Sequence, residues 1–334
     1  MADPFMVCPG RRRPLWSFFR RRAICVATAI ALGTCSTAFA TPLSERRSGA
    51  YYGWHAGATA AGLLGGTAFL YIYRDKGALL DLRSFGPDDS VRTYFSQSAA
   101  RASDVLLLTT MATPFAAQLV ERTGTSFQNA SLVYAEAHAA NFFLFSAVKS
   151  LVRRPRPYAH SRDARILGFI RSGGMDAYRS FFSGHTSTAF TSATAGSVLY
   201  SMRSNDRTVR HIMWGLEFGL AGTIARLRVI AGRHYRTDVW AGTLAGIGVG
   251  LLVPLAHDLE LERIESTEWL VGAGAMSLGL VVSEAISVCR WWGIACWSND
   301  AHLPSNRDGE DLVSWSIAPV AFEAGAGLGA LGTW

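Results

Sequence analysis

His234 and Asp238 have the spacing of a catalytic histidine and the acid that orients it. On a helical turn, residues four apart share a face, so the carboxylate can accept a hydrogen bond from one ring nitrogen. The other nitrogen then keeps an outward lone pair, as a nucleophile or a base requires. An isolated pair of this kind is more often a structural contact near a helix end. A catalytic role for His234 therefore requires supporting residues elsewhere in the chain.

A second cluster, Ser183-Gly184-His185, lies directly before an apolar run that continues to Tyr200. Ser183 suits a helix N-cap, and Gly184 would allow the backbone to approach a ligand closely. A helix start presents free N–H groups to an anion, and His185 at its rim could protonate a departing oxygen. The simpler interpretation is a plain cap beside a bystander histidine.

A third cluster, from Lys149 to Pro157, ends an apolar helix in a group of cations. Lysine offers a point charge and Arg156 a planar fork that fits two phosphate oxygens. A basic helix end that snorkels to a membrane surface, or that interacts favourably with the dipole at the helix C-terminus, would also explain such a cluster and could account for Arg153 and Arg154.

The three clusters are predicted to meet at one end of a helical bundle. The apolar segments 186–202 and 211–230 have similar lengths and a short turn between them, so as antiparallel neighbours they return the chain to the end where it started. Arg228, His234 and Asp238 would then lie beside Ser183 to His185.

The order and spacing of these residues resemble the signature of a known family, the type 2 phosphatidic acid phosphatase and vanadium haloperoxidase superfamily. The matching set is Lys149-x6-Arg156-Pro157, Ser183-Gly184-His185 and Arg228-x5-His234-x3-Asp238. Two positions depart from the family pattern, since Phe182 replaces its usual proline and Leu227 its usual serine. We expect these changes to affect loop rigidity and a supporting hydrogen bond rather than the chemistry itself.

The resemblance implies a role for each residue of the set. His234 would attack phosphorus, Asp238 would orient it, and His185 would protonate the leaving group and then activate water. Five residues would bind the phosphate: Lys149, Arg156, Ser183, Gly184 and Arg228. The implied reaction proceeds through a phosphohistidine, with no metal and no cofactor.

The composition points to an exported helical protein. Apolar residues make up 49% of the 334, and the net charge of +7 drops to +2 without residues 1–40, which hold six arginines and Asp3. We therefore expect no nucleic-acid partner. Residues 1–40 combine a basic region, an apolar run and a small-residue cleavage site, which predicts a signal peptide.

The remaining chain predicts an all-α bundle of six or seven helices, with apolar segments at 57–73, 103–120, 131–150, 186–202, 211–230, 239–257 and 268–288. We interpret 50–288 as the phosphatase domain and 289–334 as an appendage that is extended and Gly-rich. Cys289 and Cys296 could form a disulfide or remain free thiols. Segment hydrophobicity favours a membrane-embedded bundle over a soluble periplasmic one.

Three functions remain open from the sequence. The first is a phosphatase of a lipid phosphate or diphosphate, in an inner membrane of bacterial type with its site facing the periplasm. The second is a soluble periplasmic acid phosphatase of broad specificity, and the third, least favoured, is a vanadium haloperoxidase. The oligomeric state is not predicted. The other histidines fit no motif and are expected to serve packing or solvated roles: His55, His138, His160, His211, His257 and His302.

Overall fold

The computed structural model describes residues 43, 46–73, 80, 82, 86–91, 94–120, 124–257, 263–288, 314–322 and 325–333. The predicted signal peptide and both C-terminal cysteines lie outside these residues. The described helices are α1 (Gly49–Ile72), α2 (Gln97–Val120), α3 (Gly124–Leu151), α4 (Ala164–Gly173), α5 (Gly184–Arg203), α6 (Arg207–Ile230), α7 (Arg236–Ala256) and α8 (Ser266–Val288).

The all-α class is confirmed, and each predicted segment coincides with a helix to within one residue at its C-terminal end. Two strands, β1 (Ser314–Phe322) and β2 (Gly325–Thr333), pair antiparallel near the C-terminus, with Ser314 opposite Thr333. The backbone thus places an extended hairpin in the predicted appendage.

Helix α5 occupies the centre of the bundle and packs against α2, α3, α6 and α7. Its sequence is rich in Ser, Thr and Ala, and 17 of its 20 residues are buried. Small side chains let the neighbouring helices approach closely. The Ser183 hydroxyl caps the first turn by accepting from the Thr186 amide at 3.3 Å.

Helices α5 and α7 are in close contact along a stripe of glycines four residues apart: Gly242, Gly246 and Gly250. A Cβ at Gly246 would lie 2.3 Å from the Ser187 carbonyl oxygen, and one at Gly242 would lie 2.7 Å from that of Ser183. This approach fixes the start of α7 against the start of α5.

The turn between α6 and α7 depends on Gly232, whose φ of +67° lies in the left-handed region. An added Cβ would lie 1.7 Å from the Tyr94 carbonyl oxygen, so both the conformation and the space require glycine. This turn places His234 directly after the long apolar helix α6.

The connector between α3 and α5 contains structure that the sequence analysis did not predict. It forms α4 and two short 3₁₀ helices, Pro157–His160 and Gly174–Tyr178. Buried residues of this segment, Tyr158, Ile166 and Ala177, form a small cluster with Phe95. The connector therefore packs with Phe95 into a small hydrophobic cluster that is separate from the main core.

Many large apolar side chains remain exposed on the outer helices. Trp54 on α1, Val105 on α2, Leu244 on α7 and Leu270 on α8 each show more than half of their surface. By length and composition, α7 is the described helix that could cross a membrane, and that helix gives a slight indication of membrane association.

Candidate active site

His234 lies at the centre of the polar cluster, with 1% of its side chain exposed. Its Nδ1 atom is 2.8 Å from the backbone carbonyl oxygen of Ser180. A carbonyl oxygen can only accept, so Nδ1 must be the protonated ring nitrogen. Nε2 then bears the lone pair, and among the described residues this buried atom has no hydrogen-bond partner.

Burial, followed by the positive charges of Lys149, Arg156 and Arg228, lowers the pKa of His234 well below its usual range. Both causes disfavour the imidazolium, because a buried cation surrounded by cations is unstable. The ring is therefore neutral at physiological pH. A neutral imidazole with one tethered and one free nitrogen has the form of a nucleophile.

Asp238 does not contact His234 in the way that the sequence predicted. Its Oδ2 lies 3.8 Å from Nδ1, beyond hydrogen-bond distance, because other donors occupy the carboxylate. Oδ2 accepts from the Ser180 hydroxyl at 2.5 Å and from the Tyr235 amide at 3.0 Å, and Oδ1 accepts from Arg154. Asp238 thus fixes Ser180, and the Ser180 carbonyl fixes the imidazole.

Arg154 is a second correction, since the sequence pattern favoured a snorkelling helix end or a contact with the helix dipole. Its side chain is 2% exposed and bridges two buried carboxylates, with Asp88 Oδ2 at 2.6 Å and Asp238 as the other. Its guanidinium also lies over the Tyr235 ring, 4.2 Å from the centroid. Arg154 therefore holds the start of α7 against the connector.

Lys149 and Arg228 are both buried near His234. Lys149, in the last turn of α3, donates to the Arg179 carbonyl at 3.1 Å. Its Cε would lie 3.5 Å from a Cβ at Gly184, so it reaches the first turn of α5. Arg228, in the last turn of α6, donates to the Ser103 hydroxyl at 3.1 Å.

Arg156 extends from the connector toward the same cluster and is paired with Asp176. Its Nη2 lies 2.6 Å from Asp176 Oδ1, and its Nη1 donates to the Arg233 carbonyl at 3.3 Å. Desolvation raises the pKa of Asp176, but the charges of Arg156 and Arg233 outweigh it and bring the pKa to about 2. The Asp176 carboxylate is half exposed, whereas the Arg156 side chain is buried.

His185, in the first turn of α5, pairs with a residue that the sequence analysis missed. Its Nε2 lies 2.7 Å from Asp104 Oδ1, and Arg228 Nη1 lies 3.3 Å from the same oxygen. Asp104 thus links the predicted general acid to a predicted phosphate ligand. The available signal was a single carboxylate at the start of the apolar segment 103–120.

The structure brings together all eight residues predicted for the site. Ser183 and Asp238 meet through the Ser183 amide, which donates to the Asp238 carbonyl at 3.0 Å. The two departures from the family pattern, Phe182 and Leu227, are both buried, and Leu227 packs in a small apolar cluster with Ala99 and Ala100. Neither side chain presents a polar group to the cations.

Comparison with known proteins agrees with this geometry. Residues 130–261 match the family model of the PAP2 superfamily, and all three motifs lie inside the matched segment. This segment, which is less than half of the chain, is similar to the PAP2 superfamily. The match confirms the resemblance drawn from the motifs and supports phosphatase or related hydrolase activity on phosphorylated substrates. No curated protein and no solved structure matches the chain. Asp88 and Asp104 lie before the matched segment, although Asp88 contacts Arg154 and Asp104 contacts His185 within it.

Proposed function

We propose that the protein is a metal-independent phosphatase that works through a phosphohistidine at His234. The proposal rests on one observation: Nδ1 is tethered to the Ser180 carbonyl while the buried Nε2 is free among the described residues. The free nitrogen lies among the cations Lys149, Arg156 and Arg228, whose charges act on the ring. A phosphate bound by these cations would hold phosphorus against that lone pair.

In the first half-reaction, Nε2 of His234 attacks phosphorus and forms a P–N bond. The bond from phosphorus to the leaving oxygen breaks, and His185 donates a proton to that oxygen. Charge on the equatorial oxygens is stabilised by the cations and by the free N–H groups at the start of α5. Burial and the charge of Arg228 lower the pKa of His185 to about 4, and the Asp104 carboxylate, 2.7 Å from Nε2, opposes this shift and favours the protonated ring.

In the second half-reaction, water attacks the phosphohistidine and His185 accepts the proton that water loses. The P–N bond breaks, inorganic phosphate forms, and the electron pair returns to Nε2 of His234. His185 is then protonated again for the next cycle. Asp238 positions the nucleophile through Ser180 without accepting a proton itself.

A phosphorylated lipid is the substrate that the surface favours, whether a monoester such as phosphatidic acid or a polyprenyl diphosphate. Apolar side chains lie exposed close to the site residues, with Val105 next to Asp104 and Trp240 two residues after Asp238. Leu244, one turn beyond Trp240, is 73% exposed. Contact of this apolar surface with lipid tails would be favourable, whereas its exposure to water would be unfavourable in free energy.

The same surface supports membrane embedding, because exposed apolar side chains recur on α1, α2, α7 and α8. We place the protein in an inner membrane of bacterial type, exported by residues 1–40, with its site on the periplasmic side. The alternative is a soluble periplasmic acid phosphatase with the same site. Release by osmotic shock without detergent would favour the alternative, and retention in the membrane fraction would favour embedding.

Phosphate release from p-nitrophenyl phosphate, phosphatidic acid and undecaprenyl diphosphate tests the chemistry. Wild type should release phosphate from at least one of the three in the presence of EDTA, and His234→Ala should release none above background. His211→Ala is the matched control, since His211 lies near the start of α6, at the end opposite Arg228, and should keep wild-type activity. Activity in His234→Ala, or its complete loss with EDTA in folded wild type, would contradict the proposal.

A further inference from the structure

Three potential ligands, one on α1, one on α3 and one directly after α7, converge far from the candidate active site. His55 on α1 and His257 after α7 both direct a ring nitrogen at one carboxylate oxygen of Glu136 on α3. The distances from Glu136 Oε2 are 2.8 Å to His55 Nδ1 and 3.0 Å to His257 Nε2. All three ligand atoms lie within 4.8 Å of one another.

The cluster is distinct from the phosphate site. His257 follows the C-terminal end of α7, whereas Asp238 lies in its first turn. A helix of 21 residues is about 30 Å long, so the two groups lie at opposite ends of α7. None of the three residues is needed for the chemistry at His234.

The donor set and its burial fit a divalent transition metal. Two imidazoles and one carboxylate are ligands of zinc, whose bonds of about 2.0–2.2 Å place tetrahedral ligands about 3.3 Å apart. The Glu136 distances of 2.8 and 3.0 Å are a few tenths of an ångström shorter than this spacing, and the two ring nitrogens lie within 4.8 Å of each other. The side chains of Glu136 and His257 are 8% and 1% exposed, and that of His55 is 26% exposed, which leaves a path of entry.

A fourth residue orients one of the imidazoles. The Tyr51 hydroxyl lies 2.5 Å from His257 Nδ1, the nitrogen that does not face Glu136. A histidine that binds a metal usually donates its other N–H to a nearby oxygen, which fixes the ring and its tautomer. Tyr51 would do this for His257, with Nε2 left as the metal ligand.

We propose that His55, Glu136 and His257 form a structural zinc site that fastens α1 to α3 and α7. Helix α1 packs along α3 but fully buries only Gly62 and Gly66 among its 24 residues, and the zinc would add a bond from α1 to the end of α7. Zinc would replace the hydrogen-bonding protons between Glu136 and the two facing ring nitrogens, His55 Nδ1 and His257 Nε2. Both imidazoles would bind as neutral ligands, and binding would release any proton that either held.

Metal content measured by mass spectrometry tests the site on full-length protein purified without a histidine tag. Wild type, His234→Ala and His211→Ala should each contain about one zinc per chain, whereas Glu136→Gln and His257→Ala should contain almost none. The unfolding temperature of wild type should drop by several degrees in EDTA, and that of Glu136→Gln should not change. Because this zinc is structural, EDTA-treated wild type should keep its phosphatase activity at 25 °C.

Cobalt provides a readout that does not depend on any variant folding. Metal-free wild type titrated with Co²⁺ should develop the visible absorption of a site with mixed nitrogen and oxygen ligands, saturating at about one equivalent. Folded wild type with neither bound zinc nor a cobalt spectrum would overturn the proposal and leave a hydrogen-bonded triad. Metal content and phosphate release are separate measurements, so failure of one proposal is distinguishable from failure of the other.

Discussion

The Nδ1 atom of His234 lies 2.8 Å from the carbonyl oxygen of Ser180, whereas the Asp238 carboxylate is 3.8 Å away. The backbone therefore sets the tautomer of His234, and Asp238 acts on that backbone through the Ser180 hydroxyl. Mutations of Ser180 and of Asp238 should therefore differ in their effects on activity and on stability. If Asp238 bonded His234 directly, removal of the carboxylate would affect both at once.

Ser180→Ala should keep most of the activity, because the substitution removes the hydroxyl and leaves the carbonyl in place. The lost hydrogen bond to buried Asp238 should reduce the free energy of unfolding by about 1.5–3 kcal/mol. Asp238→Asn should lower both the activity and the free energy of unfolding further than Ser180→Ala does. The reason is that it also disturbs the contacts with Arg154 and with the Tyr235 amide. Denaturant unfolding and kcat with p-nitrophenyl phosphate check both variants, and a Ser180→Ala enzyme as inactive as His234→Ala would contradict this arrangement.

Asp104→Asn should lower kcat by roughly 10–100-fold on a lipid phosphate, because His185 loses the carboxylate that favours its protonated form. The loss should be much smaller with p-nitrophenyl phosphate, whose leaving group needs little protonation. Comparison of kcat for the two substrates separates this role from simple misfolding, which would lower both equally. Equal losses would therefore count against Asp104 as a positioning residue for the acid.

Arg154→Ala should destabilise the protein by about 3–5 kcal/mol, because the substitution leaves Asp88 and Asp238 buried without their shared cation. Arg171→Ala is the matched control on α4, where the side chain is exposed, and should change stability by less than about 0.5 kcal/mol. Urea unfolding followed by circular dichroism measures both. An Arg154→Ala protein as stable as Arg171→Ala would restore the snorkelling interpretation.

The pH dependence of kcat/KM should show no loss from protonation of His234 between pH 7 and 5. An ordinary histidine has a pKa of about 6.5 and would be inactivated over this range. Burial and the three cations lower the pKa of His234, so its lone pair is retained as the pH falls. Initial rates corrected for ionisation of the substrate give the profile, and circular dichroism at each pH shows that the enzyme is folded. A drop in kcat/KM with a midpoint near 6.5 would contradict a neutral, buried nucleophile.

The sequence was sufficient to predict the seven long helices, but not α4, and to predict which motif residues lie at one end of the bundle. Apolar runs of helical length gave the elements, and the short turn between α5 and α6 predicted that Arg228 and His234 would return to Ser183. Fixed spacings between residues along the chain can be recognised without a structure. The motif residues were therefore identified from their order and spacing in the sequence.

The supporting contacts were not predictable, for physical reasons that differ from case to case. The Ser180 carbonyl is a backbone group, which no side-chain pattern reveals. Asp104 and Asp88 are more than 60 residues from their partners His185 and Arg154, so no local spacing links them. Arg154 resembles any basic residue after an apolar helix until the two carboxylates that neutralise it are located in space.

Trapping the covalent intermediate tests the central claim most directly. Wild-type enzyme mixed with excess p-nitrophenyl phosphate is quenched in alkali, where phosphohistidine survives, and is digested for peptide mass spectrometry. We predict one phosphoryl group on the peptide that contains His234, sensitive to acid and missing from His234→Ala. An active enzyme with no such adduct at any quench time, or with the phosphoryl group on another residue, would contradict nucleophilic attack by His234.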